Sequence, residues 1–327
     1  MKKPNVYVTR MIPEPAIELL RQYCEVEVNP DDRVLEKSEL IEKVRGRDAV
    51  LCLLTDTIDD EVFEAAGPKC KLFANYAVGF NNVDVQAATK RGIIIANTPG
   101  VLDNATADLA WTLLFSVARR IVEADSYLRA GKFKGWGPML LLGRDITGKT
   151  LGIIGTGRIG ANLAKKASGF DMKILYNDVK PNLSFEEETG GVMVDKETLL
   201  READFISLHV PLMPSTTHLI GEKEFKLMKK TAILINTSRG PVVDEKALVK
   251  ALRDGEIWGA GLDVFENEPE LEPGLDELDN VIIVPHIASA TIDARTNMGM
   301  IAVRNIINVL TGKEPETCVN PEVLDNR

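Results

Sequence analysis

Histidine and cysteine are scarce in this chain. There are three histidines, at 209, 218 and 286, and four scattered cysteines (Cys24, Cys52, Cys70, Cys318) with no CxxC spacing. Donors so few and so far apart argue against a metal site and against a disulfide framework, and buried thiols of a cytoplasmic protein are the expectation. No apolar run approaches the roughly 18 residues of a membrane span, so no membrane partner is expected. The opening "MKKPNVYVTRMIPEP" meets Pro4 and then charge before any long apolar stretch, so no secretory leader is expected either. Basic runs are missing too. Lys and Arg total 39 against 49 Asp and Glu, a formal charge of −10, which argues against nucleic acid and anionic membranes as partners. Internal repeats and low-complexity segments are absent.

What is present is a chain of 327 residues with 45% hydrophobic content, enough for two domains with cores of their own. Strand-like apolar runs alternate with amphipathic helical stretches, the pattern of a parallel α/β protein. "NVYVTR" reads as a strand and "EPAIELLRQY" as a helix; "CEVEVN", "AVLCLL", "KLFANYAVGF" and "GIIIANTPG" continue the series. Residues 103–131 form one long helical pattern with apolar positions at 110, 113, 114, 117, 118, 121 and 122, ending at Gly131. A second α/β series of six strands runs from Thr150 to residue 288: "TLGII", "KILYND", "DFISLHV", "AILINTS", "GAGLDV" and "VIIVPHIA". The last helix, "ARTNMGMIAVRNIINVLTG", is expected to return to the first domain. The expected division is residues 1–99 with 290–327, and 100–289.

The most specific local motif is "LGIIGTGRIGANLAKKASGF", residues 151–170. A strand, a tight glycine turn and a helix start make an anion site, because N–H groups at a helix N-terminus point outward with the dipole behind them. Gly155 permits the turn, Gly157 leaves room for a pyrophosphate, and Gly160 lets helix and strand approach. A following strand, "KILYND", ends in Asp178, at the offset where a carboxylate takes ribose hydroxyls. That carboxylate would repel a 2′-phosphate, and Val179 follows it rather than an arginine, so NAD is favoured over NADP. Lys180 is the one nearby cation that could swing in.

Three further strand ends carry polar residues: Arg239 beyond the strand 232–237, Glu268 beyond 259–264, and His286 beyond 281–285. Ligands of open parallel sheets bind outside the carboxyl ends of the strands, so the three side chains fall on one rim. A ketone that accepts hydride needs a proton on oxygen, which histidine can deliver. A neighbouring carboxylate would orient the ring, and an arginine could grip a substrate carboxylate. Taken singly each has an ordinary reading: a surface ion-pair arginine, a solvated loop glutamate, a structural histidine after proline. Their joint placement favours chemistry.

With these motifs in order, the chain resembles the D-isomer-specific 2-hydroxyacid dehydrogenases, and within them the glyoxylate/hydroxypyruvate reductases, also called glycerate dehydrogenases. "NYAVGFNNVDV", "NTPGVLDNATADLAWTLL", "GKTLGIIGTGRIG", "HVPLMPSTTHLI", "INTSRGPVVDE", "GLDVFENEP" and "PHIASAT" all match in order over nearly the whole chain. The resemblance implies two Rossmann-like domains with doubly wound parallel sheets and an active-site cleft between them. The segments 1–99 and 290–327 would form a flavodoxin-like substrate domain, and 100–289 the NAD-binding domain. Arg239, Glu268 and His286, spaced 29 and 18 residues apart, would be catalytic. Val78 and Gly79 would bind the substrate carboxylate with Arg239 and His286. Arg158 and Ile159 would join the glycines on the pyrophosphate; Thr106, His209, Val210, Pro211, Thr237, Asp263 and His286 would line the cofactor. The resemblance also implies a homodimer, with the region 103–131 and the "GWGP" loop reaching across and Trp136 either entering the partner's site or anchoring the interface.

Two residues depart from the family pattern: Asn81 stands where aspartate is common, and Ala288 where glycine is common. Glutamate at 268 argues against a formate-oxidising branch, which would carry glutamine there. Open alternatives are a 3-phosphoglycerate or D-lactate dehydrogenase, a phosphite-oxidising relative, and an NAD(H)-sensing protein resembling the corepressors built on this fold. At this length the extra C-terminal regulatory domain of some phosphoglycerate enzymes is not expected, and no basic cluster offers itself for a substrate phosphate.

Overall fold

Two sheets of parallel strands organise the chain in the computed structural model, which describes residues 2–326. Contacts divide the chain into two units: residues up to Leu102 together with those from Ala290 onward, and Asp103–Ser289.

In the first unit the strands are β1 (Asn5–Val8), β2 (Glu25–Val28), β3 (Ala49–Cys52), β4 (Leu72–Asn75) and β5 (Ile94–Ala96). All are parallel, in the order β2-β1-β3-β4-β5. β3 and β4 are buried at every position, as expected of strands covered by helices on both faces. The helix Ile292–Leu310 packs on the helix Glu14–Tyr23 and on β4. The Tyr76 hydroxyl donates to its Arg295 carbonyl at 2.5 Å.

The second unit has seven strands rather than the expected six. They are β6 (Thr150–Ile154), β7 (Lys173–Asn177), β8 (Val192–Met193), β9 (Phe205–Leu208), β10 (Ile233–Asn236), β11 (Gly259–Leu262) and β12 (Val281–Ile283). The order is β12-β11-β10-β9-β6-β7-β8, again all parallel. The additional strand, β8, is two residues long, too short to show an alternation. Strand order reverses between β6 and β9, and this switch point is where doubly wound sheets hold their ligands.

The expected single helix over 103–131 is two. Asp103–Ala118 is followed by Ile121–Arg129, with Arg120 between them in the left-handed region at φ 54°. The first helix buries Trp111, Leu113, Leu114 and Val117, and the second buries none of its residues. The apolar positions Ile121 and Val122, expected to extend the buried stripe, are instead each 53% exposed.

Candidate active site

The glycine loop forms as its sequence demands. Gly155 sits at φ 94°, and a Cβ there would come within 2.7 Å of the His209 carbonyl oxygen. Only glycine meets both conditions cheaply. A Cβ on Gly160 would overlap the Gly155 carbonyl, so the helix Arg158–Ala167 lies directly on the loop. At Gly157 a Cβ would meet no atom within 4 Å, which leaves open space before the helix N-terminus.

Asp178 follows β7, facing this loop. Its Oδ2 accepts from the Thr156 N–H at 2.8 Å and the Thr156 hydroxyl at 2.7 Å, and its Oδ1 from the Val179 N–H at 2.7 Å. Burial works against ionisation here, but these hydrogen bonds prevail and hold the carboxyl below its ordinary pKa. Asp178 thus clamps the glycine loop while Oδ1 keeps a lone pair for another donor. Arg158 is turned aside, its Nε bonded to Asp103 at 2.8 Å. Ile159 is partly buried against the core beneath the first helix, and Thr106 is buried in that helix's first turn.

His209 follows β9, its Nε2 2.8 Å from the Ser207 hydroxyl. Desolvation pushes its pKa down to about 4, so the ring is neutral at neutral pH. Val210 packs on the adjacent core, and the Pro211 carbonyl accepts from the Thr216 hydroxyl at 2.7 Å. Thr237, just past β10, is buried, and its hydroxyl has no partner among the described residues. An orphaned hydroxyl and an open glycine turn at a strand switch point fit a dinucleotide, since each is costly or idle without one.

Arg239, Glu268 and His286 lie past β10, β11 and β12. Glu268 Oε2 is 2.9 Å from His286 Nδ1, and its Oε1 accepts from the Phe265 N–H at 3.0 Å. Burial of Glu268 opposes ionisation; bonding to His286, the charge on that ring and the Phe265 N–H outweigh it and keep the carboxyl below the ordinary glutamate value. Burial pulls the pKa of Arg239 below the usual arginine value, and the Glu268 carboxylate works against that. Its Nη1 donates to the Ser238 carbonyl at 2.7 Å. Close packing draws the two loops together, because a Cβ on Gly240 would fall on the Phe265 carbonyl.

His286 has φ 52°. Asp263, fully buried at the end of β11, accepts from the N–H groups of the next two residues, Ile287 at 2.6 Å and Ala288 at 2.8 Å. Burial raises its pKa, and these bonds oppose the rise. Val78 and Gly79 lie past β4, in the first unit.

Sequence reading missed a second glutamate–histidine pair on the same turn. Glu266 Oε1 is 2.6 Å from His218 Nε2. Glu266 and Glu245 also bond reciprocally: the Glu266 N–H donates to Glu245 Oε1 at 2.7 Å, and the Glu245 N–H to Glu266 Oε2 at 3.3 Å. The "DE" of "PVVDE" was the available signal, an acid beyond the N-cap whose partner lies 21 residues away.

A doubly wound sheet with a glycine turn, a carboxylate bonded to that turn and a Glu–His pair at the strand ends defines a nucleotide-dependent α/β oxidoreductase. Residues 111–288 match the family described as D-isomer specific 2-hydroxyacid dehydrogenase, NAD binding domain. A glyoxylate reductase of Thermococcus litoralis is 54% identical over 326 residues, covering 98% of each chain. A solved structure from Thermus thermophilus is 45% identical with TM-score 0.90, covering 96% of this chain and 99% of that one. An NADPH-dependent glyoxylate/hydroxypyruvate reductase of Sinorhizobium meliloti, solved with NADP and malonate, is 31% identical with TM-score 0.85 and 97% coverage of each chain. The chain belongs to the D-isomer specific 2-hydroxyacid dehydrogenase family.

Proposed function

We propose that the protein reduces glyoxylate to glycolate, and hydroxypyruvate with it to the D-2-hydroxy acid. The observation that carries this is the 2.9 Å contact between His286 Nδ1 and Glu268 Oε2, on the same rim as Arg239. Bound NADH would supply the hydride. Gly155, Gly157, Gly160 and the first N–H groups of the following helix would take the pyrophosphate. Asp178 would take the adenosine ribose, and His209, Val210, Pro211, Thr237, Asp263 and Thr106 the remainder. Engaged through Nδ1, the His286 ring presents Nε2 to the substrate and delivers a proton to the carbonyl oxygen; Glu268 stabilises the protonated ring. Arg239 is our candidate in the second unit for holding a substrate carboxylate, and the N–H groups of Val78 and Gly79 are our candidates in the first.

We further propose that the protein is a cytoplasmic homodimer. The buried thiols Cys24, Cys52 and Cys70 fit a reducing compartment. Among the described residues no helix is long and apolar enough to cross a membrane. Ile121, Val122, Leu128, Phe133, Met139 and Trp136 (85% exposed) form an apolar arm that a second copy would cover. A cavity of about 780 Å³ is lined by Val122 of this arm with Tyr127, Trp258 and Asn280, and its lining includes neither Glu268 nor His286.

The test is nicotinamide oxidation with NADH and NADPH against glyoxylate, hydroxypyruvate, pyruvate and phosphohydroxypyruvate. Fast turnover of glyoxylate or hydroxypyruvate with NADH is the expected result. NADH binding without turnover of any of the four would overturn the assignment.

A further inference from the structure

We infer that Asn97 is a positioning residue that turns the N–H groups of Val78 and Gly79 to one side, building an anion cradle selective for a carboxylate. The inference rests on the substrate reading above and deepens it. Its observations all lie within the first unit.

Asn97 and Thr98 follow β5, next to the segment that follows β4. The Thr98 N–H donates to the Ala77 carbonyl at 2.9 Å. The Asn97 amide, Nδ2, donates to the Val78 carbonyl, also at 2.9 Å. Consecutive carbonyls of an extended chain point to opposite sides. Here two consecutive carbonyls are caught by neighbouring donors of one segment, so both face that segment, and the chain bends at residues 76–78. In a trans peptide the C=O and the next N–H point in opposite directions. The N–H groups of Val78 and Gly79 therefore both face away from Asn97. Two successive N–H groups converging on one side form a concave anion site. Among the described residues neither of them is bonded to a backbone acceptor.

The frame around this bend is tied down. The Asn75 amide donates to the Gly79 carbonyl at 2.9 Å, fixing the third peptide. Asn75 also meets Asn82, whose amide holds the Leu53 and Asp56 carbonyls at 3.0 Å each. Asn97 is anchored in turn, its own carbonyl accepting from the Thr317 hydroxyl at 2.6 Å. Only the Asn97 bond combines a side-chain donor with control of the Gly79 N–H, which makes it the position to perturb.

Asn97→Asp keeps the size and shape but sets an acceptor against the Val78 carbonyl. Asn97→Gln keeps a donor. The assays are steady-state reduction of glyoxylate, and calorimetric binding of oxalate to the NADH-loaded protein. For Asn97→Asp the expected result is a rise of roughly tenfold in KM for glyoxylate and in the oxalate dissociation constant. The KM rise should exceed any fall in kcat, NADH affinity should stay at the wild-type value, and Asn97→Gln should fall nearer to wild type. Oxalate affinity within twofold of wild type for a folded Asn97→Asp, with intact NADH binding, would overturn the inference. If wild type reduces no 2-oxo acid yet binds oxalate and Asn97→Asp loses it, the substrate assignment falls and the cradle stands. If wild type binds no oxalate, both fall.

Discussion

Replacing Glu245 by glutamine should remove a specific slope from the pH dependence of stability. Glu245 is 2% exposed, its Oε2 has no partner among the described residues, and its Oε1 accepts the Glu266 N–H. Burial, reinforced by Glu266 and Glu272 and opposed by that N–H bond, raises its pKa from 4.5 to about 7. The folded protein thus keeps a proton that the unfolded chain releases near 4.5. A raised folded-state value means the stabilisation is complete below about 4.5 and is lost as pH rises through about 7. That gap corresponds to about 3 kcal/mol at ~1.4 kcal/mol per tenfold, a large share of the ~5–15 kcal/mol that domains have in total. Glutamine keeps the acceptor for Glu266 and does not titrate. Urea unfolding at pH values of about 4.5, 6, 7 and 8.5, on wild type and Glu245→Gln, isolates the group, since every other titration is common to both. Relative to the variant, wild type should lose about 3 kcal/mol across this range, a midpoint shift on the order of 1 M urea. Parallel stability curves would refute the reasoning and place the Glu245 proton elsewhere.

His286→Gln should lower the rate of ketone reduction roughly 10²–10⁴-fold with NADH affinity little changed, whereas His218→Gln should stay within about threefold; steady-state kinetics with fluorescence titration of NADH distinguishes them, and near-normal turnover of His286→Gln would remove it as the acid. Asp178→Ala should weaken NADH binding and raise the NADPH-to-NADH ratio of kcat/KM by about tenfold; an unchanged ratio would shift the selectivity to Lys180. Gly240→Ala drives a methyl into the Phe265 carbonyl, and should cost about 2–3 kcal/mol in thermal melts while lowering kcat, because it parts the Arg239 loop from the Glu268 turn.

The parts of this protein that were legible in sequence are those whose chemistry is local. Strand, glycine turn, helix and acid are contiguous between 151 and 178, so periodicity and turn chemistry identified the nucleotide loop. The strand ends were harder to place. The strands expected at 232–237, 259–264 and 281–285 stop at Asn236, Leu262 and Ile283, and after the second of them Val264 and Phe265 stay buried although they are no longer strand. The break before Ile121 left no mark, since Arg119 and Arg120 are ordinary helix formers with no glycine or proline between them. Glu266 drew no reading from the sequence because its partners, His218 and Glu245, are 48 and 21 residues away. Pairings at that separation follow from sheet order, which no window of sequence contains.

Carboxylates that grip backbone N–H groups recur around the second sheet, and they explain how its rim stays in place. Asp178 holds the glycine loop through Thr156, Glu245 holds the turn at Glu266, and Glu268 holds that same turn at Phe265. Asp263 holds Ile287 and Ala288. His286 sits between the last two devices, in a left-handed conformation that costs a non-glycine residue about 1–2 kcal/mol. Two N–H bonds to Asp263 and one ring bond to Glu268, each worth about 0.5–1.5 kcal/mol or more where charged, are enough to offset that strain. The ring is therefore oriented before any ligand arrives, and its orientation depends on a buried aspartate that needs no contact with the substrate. The same reasoning separates the two glutamate–histidine pairs. Glu266 and His218 share a shorter contact, 2.6 Å, than the 2.9 Å of Glu268 and His286, but His218 follows β9 on an exposed loop, whereas His286 follows β12 on a loop pinned by Asp263. Pairing alone therefore does not single out a ring; of the two, His286 is the one followed by N–H groups that a buried aspartate holds.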